Sequence, residues 1–147
     1  MAGAAKDDQR QARTRLVDEH LQAENKHDLD AILSTFGRSG RLIVNGFQCT
    51  DAPSIRALYD GFGFGGGGGF SGVAAEITRQ HVSGESIVVE MTLRGNHTGT
   101  WEGIPATNRA FEIPACAVFD FDDEGKVANE RVYFDGALLL RQLGVLP

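Results

Sequence analysis

The sequence predicts an α+β domain in which N-terminal helices pack on the concave face of a curved antiparallel sheet, leaving a cone with one open end. Three observations carry this. Apolar residues recur at helical spacing only before the glycine-rich stretch at 61–70; from Val73 almost to the end the period is two; and the segments of period two are joined by tight turns. Helices first and hairpin-joined strands afterwards is the order of an α+β fold.

The elements follow in sequence. Residues 1–7 read as a flexible lead, and good helix formers from Asp8 to Asn25 carry a thin apolar stripe of Leu16, Val17 and Leu21. Asp28 is placed to cap a second helix whose Leu29, Ile32, Leu33 and Phe36 share one face, with Gly37 as its left-handed stop. Arg41 to Asn45 is a short β-branched strand, and Pro53 opens a helix from Ser54 to Asp60 closed by Gly61. Four long strands are expected at 73–82, 86–98, 110–121 and 127–135. Ile87, Val89, Met91 and Leu93 share one face of the second; Phe111, Ile113, Ala115, Ala117, Phe119 and Phe121 share one face of the third. Pro114 has no N–H to give a ladder, so its strand is an edge there or carries a bulge. A last helix runs from Ala137 to Leu143 and stops at Gly144.

Composition narrows the function classes. The 147 residues suit one domain, 1–147, and no apolar run reaches the roughly 20 residues a membrane span needs. A net charge of −6 without a basic cluster disfavours nucleic acid as a partner. Cys49 and Cys116 stand far apart and alone, which suits a reducing compartment, and the charged N-terminus is no secretory signal, so a cytoplasmic protein is expected. His20, His27, His81 and His97 fall on different elements without HxH or HExxH spacing, no GxSxG elbow is present, and neither a metal nor a cofactor is expected.

The stretches HDLDAILSTF, GNHTGTWEGIPATNR (95–109) and GKVANERVYFDGALLLRQLG (125–144) resemble the nuclear transport factor 2-like superfamily and, within it, the SnoaL-like polyketide cyclase group. Members of that group commonly read GxHxGxxxGxPPTGR and GKIxExxxxxDxxxLLxQLG at the last two places. Here Ala106-Thr107-Asn108 stands for Pro-Thr-Gly, and glycine replaces the short helix that relatives carry near 61–70. The resemblance implies a nuclear transport factor 2-like (cystatin-like) cone, a homodimer, and cofactor-independent acid/base chemistry on a hydrophobic carbonyl compound: an intramolecular aldol cyclase or isomerase. A non-catalytic binding or dimerisation domain is the alternative of another class, and a ketosteroid isomerase-like or dehydratase activity with a different base is a third.

The resemblance points first to Asp135, which matches the acid/base aspartate of the group and stands just before the last helix, where it is also placed to cap that helix. His97 shares the inward parity of Leu93 and Gly95 and could polarise a carbonyl or orient Asp135. Asn45 falls where ketosteroid isomerases of the superfamily carry their base; an amide cannot be that base, though it could hold a substrate oxygen. The second aspartate expected of the superfamily's epoxide hydrolases is replaced by Val132, which disfavours that chemistry. Trp101, Tyr133, Phe62, Phe64 and Phe119 complete the expected substrate contacts, Trp101 as a flat surface at the rim and Tyr133 as a donor to an oxyanion.

Nineteen glycines are present, and seven of them lie in GFGFGGGGGF at 61–70. The run follows a helix and precedes a strand, the reverse of a phosphate-binding loop, and no Lys-Ser/Thr closes it. It reads either as a passive flexible connection or as a mobile lid that carries Phe62, Phe64 and Phe70 over the mouth of the cone.

Overall fold

The computed structural model describes residues 2–147, and their helical content begins at once. Helix α1 spans Ala2–Asn25, so the segment expected as a loose lead is helical from residue 2, and its buried side is Val17, His20, Leu21, Ala23 and Glu24. Two polar groups thus sit on the stripe that faces the core. Asp28 accepts the N–H of Ala31 at 3.1 Å and starts α2 (Leu29–Ser34).

Strand β1 (Phe36–Val44) begins where the second helix was expected to finish. Gly37 is no left-handed stop. A Cβ there would lie 2.0 Å from a carboxylate oxygen of Asp122, so the missing side chain admits the turn at 122–126. Asn45 and Gly46, with φ of 48° and 87°, form a tight reversal into β2 (Phe47–Cys49). This hairpin was not expected, although Asn-Gly at two positive φ values is the favoured two-residue turn. Helix α3 (Ala52–Phe62) starts on a capping box between Asp51 and Ser54.

β3 (Phe70–Val82), β4 (Ser86–His97), β5 (Ala110–Phe121) and β6 (Val127–Phe134) are the expected meander, and α4 (Gly136–Gln142) closes the chain. The sheet runs β2-β1-β6-β5-β4-β3, curved and unclosed. It is mixed, because β1 lies parallel to β6 with Leu42 opposite Glu130 and Val44 opposite Val132. Pro114 pairs with Thr92 of β4, but β6 joins β5 only from Ala115 onward, so one side of the strand is free at the proline. The inner face of the sheet buries Ile87, Val89, Phe111, Ile113, Ala117 and Phe119 against Val17, Leu21, Ile32 and Ile55 from the helices. Among the described residues no helix is long and apolar enough to cross a membrane.

The glycine run is packed. Helix α3 continues through Gly61 and Phe62 to a left-handed cap at Gly63; the Gly69 N–H bonds to Gly61 O at 2.8 Å, and Gly69 O receives the N–H of Thr98 and Gly99. Phe62, Phe64 and Phe70 are buried beneath it. At Gly68, with φ 79°, a Cβ would stand 2.2 Å from Asp60 O, a backbone atom that cannot swing aside. Gly68→Ala is therefore expected to lower stability by roughly 2–3 kcal/mol, from strain at positive φ and overpacking. Urea denaturation measures this; an unchanged midpoint would show that the segment moves freely, as a lid requires.

Candidate active site

The curved sheet and α3 enclose an inner chamber of about 70 Å³, whose polar lining is Glu24 from α1, Tyr59 from α3 and Glu130 from β6. Its walls are apolar, among them Leu42, Phe64, Met91, Ala115 and Ala117. Val44, Leu58, Phe62 and Phe134 also border a wider space of about 580 Å³ that opens to solvent, so they form a neck between chamber and mouth. Phe47, which is 66% exposed, Trp101, Ile104 and Leu140 line the mouth.

Local sequence explains how the polar groups reach the floor. His20 and Glu24 are one helical turn apart on the buried stripe of α1. Glu130 shares the inward parity of Val132 and Phe134, and Tyr59 lies on the buried face of α3 with Ile55 and Phe62. His20 Nε2 lies 3.0 Å from Glu24 Oε1, 3.2 Å from Glu130 Oε2 and 3.1 Å from Tyr59 Oη. Tyr59 Oη stands 2.9 Å from Glu24 Oε1 and is in short hydrogen-bond contact with Glu130 Oε1. All four groups are buried, with His20 fully so.

Thr35 Oγ1 lies 2.7 Å from Ile32 O and 2.8 Å from His20 Nδ1. Nε2 faces oxygens only. One phenol proton cannot serve two carboxyl groups. The electrostatics give the directions. Burial opposes the His20 cation, but Glu130 and then Glu24 outweigh it and hold the group up at about 10. Burial raises Glu24, and burial, Glu130 and Glu24 together raise Tyr59 well above the ordinary phenol range. The cluster thus sets a histidine and a glutamic acid, both shifted toward their protonated forms, beside a second carboxyl group at the edge of an apolar space.

The residues expected from sequence are distributed differently. Asp135 is exposed, and its carboxylate accepts the N–H of Leu138 at 3.0 Å as the cap of α4; the mouth lining passes from Phe134 to Gly136 without it. His97 is fully buried, but behind the chamber: Nδ1 accepts the Thr107 N–H at 3.2 Å and the ring lies against Phe70, 5.1 Å between centroids. Asn45 borders the mouth with its amide already used, donating to Phe134 O at 3.0 Å and accepting from Phe134 N at 3.1 Å. Trp101 borders the mouth, and Phe62 and Phe64 line the chamber. Tyr133 alternates with Val132 and Phe134 and so points off the outer face of the sheet, about half exposed. Phe119 is core, its ring packing edge-on to His20 at 5.2 Å. Asp135, His97 and Asn45 do not converge.

His20, Glu24, Tyr59 and Glu130 were missed. The readable signal was a histidine and a glutamate four apart on an apolar stripe. The sequence reading weighed only the spacing of histidines with one another; in the fold one atom each of His20, Glu24 and Glu130 lies within 4.8 Å of the others.

The sequence pattern of the SnoaL-like polyketide cyclase family matches residues 68–143. Among solved structures, a candidate polyketide cyclase of Xanthomonas campestris is similar at a TM-score of 0.81 and 20% identity, over 92% of this chain and 98% of its own. A candidate SnoaL-like polyketide cyclase of Jannaschia sp. CCS1 is similar at 0.77 and 21% identity, over 95% and 94%. A candidate hydroxylase of Streptomyces galilaeus is similar at 0.78 and 21%, over 92% and 86%. At these identities the likeness establishes the fold. No curated protein matches the sequence.

Proposed function

The chain belongs to the SnoaL-like polyketide cyclase family, and on that premise we propose that it is an enzyme of acid/base proton transfer on an uncharged, hydrophobic carbonyl compound, closing a ring by intramolecular aldol addition or isomerising its substrate. The observation that carries this reading is the cluster in which Glu24, Tyr59 and Glu130, backed by His20, form the polar lining of an otherwise apolar chamber. In this reading Glu130 takes the proton next to the substrate carbonyl, and Tyr59 or the Glu24 acid donates to the oxygen on which negative charge develops. The compound's remainder lies in the mouth against Trp101, and holding a flexible chain folded there supplies rate through orientation. The floor carries no unpaired cation, so a neutral ligand suits it better than an anionic one.

Deuterium uptake from D2O into the acidic carbons of a hydrophobic ketone such as 2-tetralone, followed by NMR, tests the assignment. Glu130→Gln is expected to lower the catalysed rate by about 10²–10⁴-fold. Asp135→Asn keeps an equally good helix cap and is expected to change it less than about threefold. The opposite pattern would return the base to Asp135; absence of catalysed exchange in the unaltered protein would favour a binding domain.

A further inference from the structure

Strand register shows how the chamber is built. Pairing sets Phe134, Ala115 and Met91 side by side in one row of the sheet, Val132 and Ala117 in the next, and Glu130 beside Phe119 and Leu42 in a third. Phe134 also borders the mouth, so the way from the neck to Glu130 passes along four residues of β6, about 13 Å of strand. β5 sets the width of that path. Its inward Phe111, Ile113 and Phe119 are buried in the core, and only Ala115 and Ala117 leave space that belongs to the chamber. At about 70 Å³ this space is under half of the roughly 150 Å³ of an apolar cavity that takes up benzene. The mouth, at about 580 Å³, has room for a ring system, and Trp101 and Phe47 give it aromatic walls.

We propose that the substrate is a two-part molecule, a flat apolar body held in the mouth and an unbranched arm whose terminal carbonyl passes the neck to Glu130, and that Leu58 at the neck and Ala117 beside the path determine this specificity. A ring cannot accompany the carbonyl through a space smaller than benzene needs. The arm is hydrocarbon up to its carbonyl, because the chamber's polar side chains are Glu24, Tyr59 and Glu130 alone, and a hydroxyl carried higher on the arm would be buried among Val44, Val132, Met91 and Leu93 without a partner. A ring ketone such as 2-tetralone, whose carbonyl drags its ring into the neck, is on this account the poorer of two probes. The assignment rests on the reading of Glu130 as the base, but the placement of body and arm is measurable without turnover.

The experiment compares 5-phenyl-2-pentanone, a phenyl body with a three-methylene arm and a terminal methyl ketone, with 2-tetralone. Deuterium uptake from D2O, expressed for each ketone relative to its uptake in buffer alone, should be accelerated at least tenfold more for the arm ketone. Ala117→Val puts two methyl groups into the path and should lower that acceleration at least tenfold; Leu58→Ala widens the neck and should raise the acceleration of 2-tetralone at least threefold. Placement is read by intermolecular NOEs, since Met91 is the only methionine after Met1 and Trp101 the only tryptophan. The methyl ketone end should contact the Met91 methyl group and the phenyl ring should contact Trp101. Phenyl protons against Met91, an arm that never contacts Met91, equal acceleration of the two ketones, or variants that leave their ratio unchanged would overturn the proposal. If neither ketone exchanges, the acid/base reading fails, and the NOEs still decide where body and arm lie.

Discussion

Glu130→Ala should destabilise the fold by about 3–5 kcal/mol at pH 7, several times the loss from a typical surface substitution. The reason is the partner left behind. His20 is fully buried, its Nε2 lies 3.2 Å from Glu130 Oε2, and the rings of Phe36, Tyr59 and Phe119 surround it. Without Glu130 the cation keeps only Glu24, which must then ionise in a site where burial opposes it. The short Tyr59 contact is lost as well. Glu130→Gln keeps the volume and one acceptor and should cost less than half as much. Replacing His20, Glu24 and Glu130 together by Met, Leu and Leu removes every charge of the cluster and should recover most of the loss, because apolar side chains of similar size often match or exceed a buried ion network in stability. Chemical denaturation of the three variants supplies the comparison. A triple variant as stable as the unaltered protein would mean that the cluster is not there to hold the fold together; one as unstable as Glu130→Ala would make it a structural device.

The fold was legible because it is written in periodicity. Ile87 to Leu93 and Phe111 to Phe119 alternate over long strands, and that alternation survives any ambiguity about where a strand ends. What periodicity does not encode is pairing between distant segments. The parallel contact of β1 with β6 depends on residues about ninety positions apart, and β2 is only three residues long, too short to show a period. The candidate cluster was hidden for a related reason. Family resemblance drew attention to Asp135 at a strand end, where a carboxylate is conspicuous, and the same position makes it a helix cap. Glu130, five residues earlier, reads as one more charge in NERVYFD until its parity is followed inward beside Val132 and Phe134. His20 and Glu24 sit in a helix so rich in Asp, Glu, Arg and Gln that a buried polar pair does not stand out from the solvated ones. Only the chamber separates the two kinds.

The protein is expected to be most stable near pH 5–6 and to weaken steadily through pH 9, against the habit of many proteins of staying stable to about pH 8. Two buried groups set the direction. His20 titrates at about 10 in the fold against 6.5 in the unfolded chain, so its contribution is complete below pH 6.5 and disappears as pH climbs to 10. Glu24 is also raised by the fold, from 4.5; the unfolded chain releases that proton above pH 4.5 while the folded one retains it, which again removes stability as pH rises. Each group steepens the decline toward about 1.4 kcal/mol per pH unit within its own window. Exposed Asp51 and Glu90, held low by Ser54 and His81, act in the other direction and only in acid. Urea midpoints measured at unit steps of pH give the curve. Glu24→Gln should flatten it from just above pH 4.5, and His20→Gln from pH 6.5 upward. Because the groups are buried, the slope should persist in 0.5 M salt, where the effects of surface charges fade. A flat curve between pH 6.5 and 9, or one that salt erases, would mean that the cationic His20 and neutral Glu24 are not the states of the folded protein.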